Sequence, residues 1–160
     1  MFRIGHGYDV HRLTPGREFI LCGVSIPHST GLDGHSDADV AVHALMDAIL
    51  GALALGDIGM WFPPTDPKFK AADSMKLLAE ILKDKRCADY KMGNCDITII
   101  AQQPKLSPFI QEMRKNISKV LKCKLSQVSV KATTTEGLGF CGQQQGIAAN
   151  AVVILEKKTG

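Results

Sequence analysis

The sequence lacks a cysteine framework. Its five cysteines are an odd number, and no two are separated by the two residues typical of zinc knuckles and redox motifs. Neither a disulfide-stapled fold nor a cysteine-rich metal site is therefore expected. We predict reduced thiols that pack as small apolar side chains at Cys22, Cys87, Cys95, Cys123 and Cys141.

Long apolar runs and a large excess of one charge are also missing. No stretch approaches the roughly 20 apolar residues that cross a membrane. The first residues show no signal-peptide pattern. The formal net charge is only +3, with Lys and Arg scattered along the chain. We therefore expect no membrane and no nucleic-acid partner, and we expect the bacterial cytoplasm, or the plastid stroma if a transit segment has been removed.

The 160 residues contain 45% hydrophobic and 22% charged residues, which is ordinary for a globular chain. Strand and helix patterns alternate without repeats or linkers, so we expect an α/β (α+β) fold. We predict a single mixed-sheet domain over residues 1–160, with helices packed on one face. Strands are predicted at 2–13, 19–22, 24–26, 96–101, 128–134 and 147–156, and helices at 37–55, at 74–85 and from 107 onward.

Three helix starts carry capping signals. Ser36 or Asp37 is expected to cap the first helix, and Asp73 the second. The third is expected to start at Ser107, followed by Pro108 at the first helical position.

One strand and one helix together offer a set of metal ligands. Asp9 and His11 are two residues apart, and residues i and i+2 of a strand point the same way. His43 lies in an otherwise apolar helical run. One carboxylate and two imidazoles with a free fourth position are typical of catalytic zinc. The alternative is an incidental strand pair and a satisfied core histidine. Asp39 and Asp47, each four residues from His43, are candidates to orient its ring or are plain surface charges.

Three loops and one turn have side chains suited to ligand binding. Residues 56–67 form either a rigid binding wall or a packed connection. Residues 101–107 either present N–H groups to a ligand or form a plain turn. Residues 131–140 either bind phosphate, with Glu136 holding Mg²⁺, or form a threonine-rich edge strand and turn. His35, in a turn of Gly, Asp and Ser, is a plausible phosphate contact.

Six segments, in register over nearly the whole chain, carry a close resemblance to a known family. The chain resembles the 2-C-methyl-D-erythritol 2,4-cyclodiphosphate synthases of the non-mevalonate isoprenoid pathway. The matching segments are GHGYDVH at 5–11, GHSDADV at 34–40, ALGDIG at 54–59, FPPTDP at 62–67, IIAQQPK at 99–105 and VKATTTE at 130–136.

This resemblance implies a homotrimer with an active site at each subunit interface. It implies one Zn²⁺ on Asp9, His11 and His43, and a second divalent cation, Mg²⁺ or Mn²⁺, held by Glu136 with the substrate diphosphate. The implied reaction converts 4-diphosphocytidyl-2-C-methyl-D-erythritol 2-phosphate to the cyclic diphosphate and CMP. It is a phosphorus–oxygen lyase reaction in which the 2-phosphate attacks the β-phosphorus.

The resemblance also implies roles for individual residues. His35 and Ser36 would steady the attacking phosphate, and Thr133 and Thr134 would contact the diphosphate from the neighbouring subunit. His35 and Thr134 are the implied catalytic pair. The remaining substrate-binding positions are Asp57, Ile58, Gly59, Phe62 and Asp66 around the methylerythritol, Ala101, Pro104, Lys105 and Leu106 around cytosine, and Thr135, Phe140 and Gln143.

One departure from the family pattern concerns Gln143, where family members often carry an arginine that lines the trimer axis. Glutamine has no charge to hold an isoprenoid diphosphate there. Two other functions stay open on the sequence. One is a zinc-dependent phosphohydrolase acting on a cytidine diphospho-compound, in which water attacks. The other is a non-catalytic nucleotide-binding protein.

Overall fold

A computed structural model describes residues 1–158; the predicted domain range also covers residues 159 and 160, which lie outside the described residues. Five strands form one mixed sheet in the order β4-β1-β7-β5-β6, and β2 and β3 form a separate two-stranded ribbon. Among the strands of the described residues, only β5 and β6 pair in parallel. The expectation of a mixed α/β fold is confirmed. The strands are β1 (Phe2–Pro15), β2 (Ile20–Leu21), β3 (Val24–Ser25), β4 (Thr30–Leu32), β5 (Tyr90–Ile100), β6 (Val128–Thr133) and β7 (Gly146–Lys157).

Six α-helices accompany the sheet, three of them a single turn long. The described helices are α1 (Val40–Ala52), α2 (Ile58–Trp61), α3 (Ser74–Lys83), α4 (Lys85–Ala88), α5 (Ile110–Leu121) and α6 (Gly139–Gly142), with 3₁₀ turns at Pro67–Phe69, Ser107–Phe109 and Leu125–Gln127. Helix α1 packs directly on β1 and β7, and α3 packs on α1 and α5. Within residues 1–158, no helix combines the length and apolarity needed to cross a membrane.

Helix α1 approaches β1 unusually closely because β1 has two glycines on that side. A Cβ added to Gly5 would lie 1.8 Å from the Ala48 carbonyl oxygen, and one added to Gly7 would lie 1.9 Å from that of Ala44. Any side chain at these positions would push α1 outward. The close approach brings His43 of α1 within reach of the strand residues that follow Gly7.

The start of α1 differs from the sequence prediction. The helix begins at Val40 and is capped by Asp39, whose side chain accepts a hydrogen bond from the Val42 N–H. Neither Ser36 nor Asp37 caps it, because Ala38 adopts a left-handed φ of +57° that keeps the preceding residues out of the helix. The predicted cap of α3 is confirmed: Asp73 accepts from the N–H groups of Met75 and Lys76.

Two short elements were missed, and two other boundaries were predicted wrongly. Strand β4 was missed because it has only three residues, which pair with the end of β1. Strand β5 begins at Tyr90 rather than at residue 96. The prediction missed its first residues because an irregularity between Met92 and Asn94 interrupts the alternation of apolar and polar side chains. Helix α5 begins after a 3₁₀ turn and has no side-chain cap, so Ser107 does not serve as one. Residues 56–67 contain α2 rather than only loop.

The second face of the sheet is open and partly apolar. Side chains of β1 and β7 that point away from α1 remain exposed, including Ile4 at 72%, Tyr8 at 52% and Val152 at 43%. Contiguous exposed apolar side chains on a sheet face are typical of an interaction surface. As predicted, the five cysteines are free, and all but Cys123 are buried.

Candidate active site

Three side chains from β1 and α1 converge on one point. Asp9 Oδ2 lies 2.9 Å from His11 Nε2 and 3.0 Å from His43 Nδ1. The two imidazole nitrogens are 3.1 Å apart. Within residues 1–158, this is the one group of three or more His, Cys, Asp or Glu side chains arranged to hold a metal ion.

The hydrogen bond made by His11 Nδ1 shows that Nε2 is the nitrogen available to bind a metal ion. His11 Nδ1 lies 2.7 Å from the carbonyl oxygen of Asp33. A carbonyl only accepts, so Nδ1 carries a hydrogen, and in the neutral ring Nε2 has a lone pair directed at Asp9 and His43. A metal-binding histidine typically donates its other N–H to a carbonyl or carboxylate in this way.

His43 is held on its far side by two serine hydroxyls. Its Nε2 lies 2.9 Å from Ser74 Oγ and 3.2 Å from Ser36 Oγ. The ring is buried, with 8% of the residue exposed. Its Nδ1 therefore faces the convergence point while Nε2 faces protein.

The donor set fits a zinc ion. Ligand atoms at 2.0–2.1 Å in a tetrahedral site lie about 3.3 Å from one another, close to the 2.9–3.1 Å separations of the three atoms here. Burial alone would raise the pKa of Asp9, but the attraction of the neighbouring His11 and His43 imidazoles, which donate to the carboxylate when they are protonated, outweighs burial and holds that pKa well below its ordinary value. Burial lowers the pKa of His11, but the hydrogen bonds with Asp9 and the Asp33 carbonyl raise it overall. Asp9 is thus ionised and available as a ligand.

A cavity of about 270 Å³ opens beside the three ligands. It brings together eight residues predicted from the sequence: Asp9, His11, His35, Ser36, His43, Ile58, Gly59 and Phe62. Its remaining walls are Met46, Pro64, Phe69 and Leu77, which the sequence analysis did not single out. An apolar pocket with a few convergent polar groups is the usual form of a small-molecule site.

Four acidic residues near this cavity have structural contacts. Asp57 accepts from the Met60 N–H at 3.0 Å, and Asp66 accepts from the Lys68 N–H at 2.9 Å, so each caps a short helical turn. Asp47 accepts from the Ile58 N–H at 2.8 Å and ties α2 to α1. The Asp39 carboxylate accepts from the N–H groups of Cys22 and Gly23, at 3.0 and 2.8 Å. Neither the Asp39 nor the Asp47 carboxylate hydrogen-bonds the His43 ring, so the suggestion that they orient it is wrong.

The remaining predicted residues form a second group at the ends of β5 and β6. The Ala101 N–H donates to the Thr133 carbonyl at 2.9 Å, and the Gly137 N–H donates to Gln102 Oε1 at 3.2 Å. These contacts hold the 101–106 and 133–137 loops side by side. Glu136 is exposed, with a left-handed φ of +54°, and its N–H donates to Thr134 Oγ1 at 3.2 Å.

The two groups do not meet within one chain. Asp9, Ala149, Ile99 and Ala132 form one row across the sheet, so the triad and the 133–137 loop are three strands apart, about 14 Å by strand spacing. Asp9 points toward α1, whereas Thr133 has the opposite parity and points toward the open face. Lys105, Phe140 and Gln143 also lie outside the triad cavity.

A model of the YgbB family matches residues 2–156. The chain belongs to the YgbB family. Among curated proteins, the 2-C-methyl-D-erythritol 2,4-cyclodiphosphate synthase of Moorella thermoacetica is 59% identical over 96% of this chain and 94% of its own length. The synthase of Geobacillus kaustophilus is also 59% identical, over 98% of this chain and 99% of its own.

Two solved structures share the fold. The bifunctional IspDF of Campylobacter jejuni matches with a TM-score of 0.94 and 45% identity, over 99% of this chain but only 43% of that longer chain. Plasmodium falciparum IspF in a CDP complex matches with a TM-score of 0.84 and 38% identity, over 99% of this chain and 97% of that one. The predicted family resemblance is confirmed.

Two residues that contact the Asp9, His11 and His43 cluster were not predicted from the sequence. Ser74 was recognised only as the start of α3, and Asp33 was not singled out at all. Both act through atoms that sequence patterns do not reveal: a buried hydroxyl far along the chain from His43, and a backbone carbonyl. Asp37, predicted as a cap, instead accepts from the hydroxyl and the N–H of Ser74.

Proposed function

We propose that this chain converts 4-diphosphocytidyl-2-C-methyl-D-erythritol 2-phosphate to 2-C-methyl-D-erythritol 2,4-cyclodiphosphate and CMP, in isoprenoid precursor biosynthesis. The observation that carries the proposal is the convergence of Asp9, His11 and His43 beside a small-molecule cavity. The relatives described above carry the name of this synthase over nearly the full length of the chain.

The central difficulty of the reaction is charge repulsion, since a phosphate must approach an anionic diphosphate. His35 and Ser36, beside the triad, would orient the attacking 2-phosphate. Thr133 and Thr134 would donate hydroxyl hydrogen bonds to the diphosphate, with Thr135 beside them. No general base is needed, because the attacking phosphate is already ionised at neutral pH. Positioning the two groups is therefore the main task of these side chains.

Two cations complete the proposed site. Asp9, His11 and His43 would hold Zn²⁺, which supplies Lewis-acid polarisation of a phosphate when bound. Glu136 would hold Mg²⁺ or Mn²⁺ together with the substrate diphosphate. A single exposed carboxylate suits this role because Mg²⁺ usually takes one or two carboxylates and fills its other positions with phosphate oxygens and water.

The remaining assignments concern the two ends of the substrate. Ile58, Gly59 and Phe62 line the triad cavity, with Asp57 and Asp66 capping its turns, and this wall would hold the methylerythritol. The 101–106 loop would hold cytosine through Ala101, Pro104, Lys105 and Leu106. Buried Ala101 and Leu106 fix this loop to the core, which leaves its backbone groups in a defined position.

A homotrimer would bring the two groups of residues together. They lie three strands apart and on opposite faces in one chain, so a complete site requires a second copy. The open apolar face of β1 and β7 is suited to such an interface. Analytical ultracentrifugation tests this directly, and a monomer that turns over substrate would contradict it.

The hydrolase alternative finds no support among the relatives named above. The two reactions differ in their products: the synthase gives CMP and a cyclic diphosphate, and a hydrolase gives inorganic phosphate or a linear monoester. A nucleotide-binding protein would give no turnover. Incubation with the diphosphocytidyl substrate, Zn²⁺ and Mg²⁺, followed by ³¹P NMR, distinguishes all three. Linear products alone would refute the proposal.

Two further expectations stay predictions: the compartment, which is bacterial cytoplasm or plastid stroma, and the single-domain range 1–160.

A further inference from the structure

Ser74 is a fully buried serine at the first position of α3, with 0% of its surface exposed. Its hydroxyl lies between two groups from different parts of the chain. On one side is His43 Nε2 at 2.9 Å, and on the other is the carboxylate of Asp37, with which it makes a hydrogen bond. A buried hydroxyl between an imidazole and a carboxylate has its hydrogen bonds fixed by those partners.

The direction of each hydrogen bond follows from the chemistry of the partners. An ionised carboxylate only accepts, so the Ser74 O–H donates to Asp37. The Ser74 oxygen then has only lone pairs left for His43, so His43 Nε2 must carry the hydrogen. In the neutral ring, this leaves His43 Nδ1 with a lone pair on the side of Asp9 Oδ2, 3.0 Å away.

Asp37 is itself held in place from two sides. It accepts from the Ser74 N–H at 2.9 Å and from the Asp39 N–H at 3.1 Å. The acceptor at the end of the hydrogen-bond series is therefore fixed by the backbone at the starts of α3 and α1.

We propose that Ser74 and Asp37 are positioning residues that hold His43 in the Nε2–H tautomer and so direct Nδ1 at the metal centre. The inference rests on the metal centre proposed above. It adds to the site two successive hydrogen bonds that connect the Asp37 carboxylate through Ser74 to His43. They fix the ring of His43 as the Asp33 carbonyl fixes the ring of His11. Outer partners of this kind typically contribute 10–100-fold to metal affinity.

Ser36 provides a matched comparison. Its hydroxyl also contacts His43 Nε2, at 3.2 Å, and it accepts from the Ala38 N–H. Among residues 1–158, the Ser36 side chain makes no other hydrogen bond, and it contacts no carboxylate. The same Ser→Ala change at 36 and at 74 therefore separates loss of a hydroxyl from loss of the link to Asp37.

The first test measures Zn²⁺ affinity by competition with a chromophoric chelator, for wild type, Ser74→Ala, Asp37→Asn and Ser36→Ala. We expect affinity to fall 10–100-fold in the first two variants and less in the third. Thermal unfolding of the metal-free proteins shows whether each variant is folded. A folded Ser74→Ala protein with wild-type affinity would overturn the proposal.

The second test does not need metal. The ¹⁵N shifts of His43 in the metal-free protein, at a pH well above the ordinary imidazole pKa of about 6.5, report its tautomer. We expect Nε2–H in wild type and a mixture in Ser74→Ala. A wild-type Nδ1–H tautomer would refute the positioning role. Absence of Zn²⁺ binding in wild type would refute the metal centre instead, so the two failures are distinguishable.

Discussion

Gly7 of β1 lies so close to Ala44 of α1 that a Cβ on Gly7 would be 1.9 Å from the Ala44 carbonyl oxygen. The neighbouring helix residue is His43, and the strand continues to Asp9 two residues later. The contact between strand and helix backbones thus fixes the separation of the metal ligands that follow it on each element.

Gly7→Ala should destabilise the fold and weaken metal binding together. Overpacking of this kind costs about 1–3 kcal/mol, or more where backbone must move. Urea unfolding monitored by circular dichroism measures the loss. Gly51→Ala is the matched control, because its Cβ would meet nothing closer than the His6 carbonyl at 3.9 Å. Alanine there should stabilise α1 by about 0.5–1 kcal/mol. Equal stability of the Gly7 variant and wild type would contradict the close packing.

His11→Ala should abolish both zinc binding and turnover. It removes one of three ligands, and the remaining pair cannot hold the ion tightly. Elemental analysis of the purified variant measures the zinc. His6→Ala is the control for metal content, since His6 lies on the same strand but points to Asn150, 3.0 Å away. Full zinc occupancy in His11→Ala would refute the ligand assignment.

Glu136→Gln should retain zinc while raising the Mg²⁺ concentration needed for activity and slowing CMP release. The amide keeps the shape of the side chain but loses the charge that attracts a hard cation. A Mg²⁺ titration of initial rates measures the shift, with Glu112→Gln on α5 as an exposed acidic control. An unchanged Mg²⁺ dependence would mean that Glu136 only forms a turn.

Asp39→Asn should make the free energy of unfolding less dependent on pH. Burial raises the pKa of Asp39 to about 6, with the nearby Asp37 charge adding, although the Gly23, Cys22 and Val42 N–H groups oppose this. The folded state therefore keeps a proton that the unfolded state releases from its ordinary pKa of about 3.9 upward.

The contribution of Asp39 to unfolding free energy is largest below pH 4 and falls as pH rises through 6. The stability of wild type minus that of Asp39→Asn should accordingly decrease over this window, by an amount on the order of 3 kcal/mol. Urea unfolding of both proteins at several pH values measures it. A difference that is constant with pH, or that increases, would contradict the buried-carboxyl assignment.

Gln143→Arg should increase affinity for farnesyl diphosphate, which the unmodified protein is expected to bind weakly. Gln143 is exposed at the end of α6, close in sequence to the exposed Phe140. In the proposed trimer, Phe140 would meet the apolar tail, and glutamine offers the head group no charge. Calorimetry compares the two proteins. Tight binding to the unmodified protein, without a gain from arginine, would place the head group elsewhere.

The sequence predicted those parts of the site that depend on local periodicity. The two-residue spacing of Asp9 and His11 on a strand is sufficient to place both on one face, and the isolated His43 stood out against an apolar helix. The mixed fold and most elements were also predictable, because apolar periodicity and the Asp73 cap are local signals.

Other parts depend on contacts between distant residues and were not predictable. No local pattern connects Ser74 with His43, or Asp39 with the N–H groups of Cys22 and Gly23. The left-handed Ala38 shifted the start of α1 by three residues, since a non-glycine residue in that conformation gives no signal in the sequence. The separation of the two groups of site residues by three strands appears only once strand order is known.

Strand β7 is the last of the described strands, yet it lies between β1 and β5 and pairs with both. During synthesis, β1 is made before β7 and remains without this neighbour until β7, about 130 residues further along the chain, has been translated. The central part of the sheet therefore cannot assemble progressively behind the ribosome and must form in a late step. In the interval, the glycine-containing half of β1 has an unpaired edge that could pair with another chain.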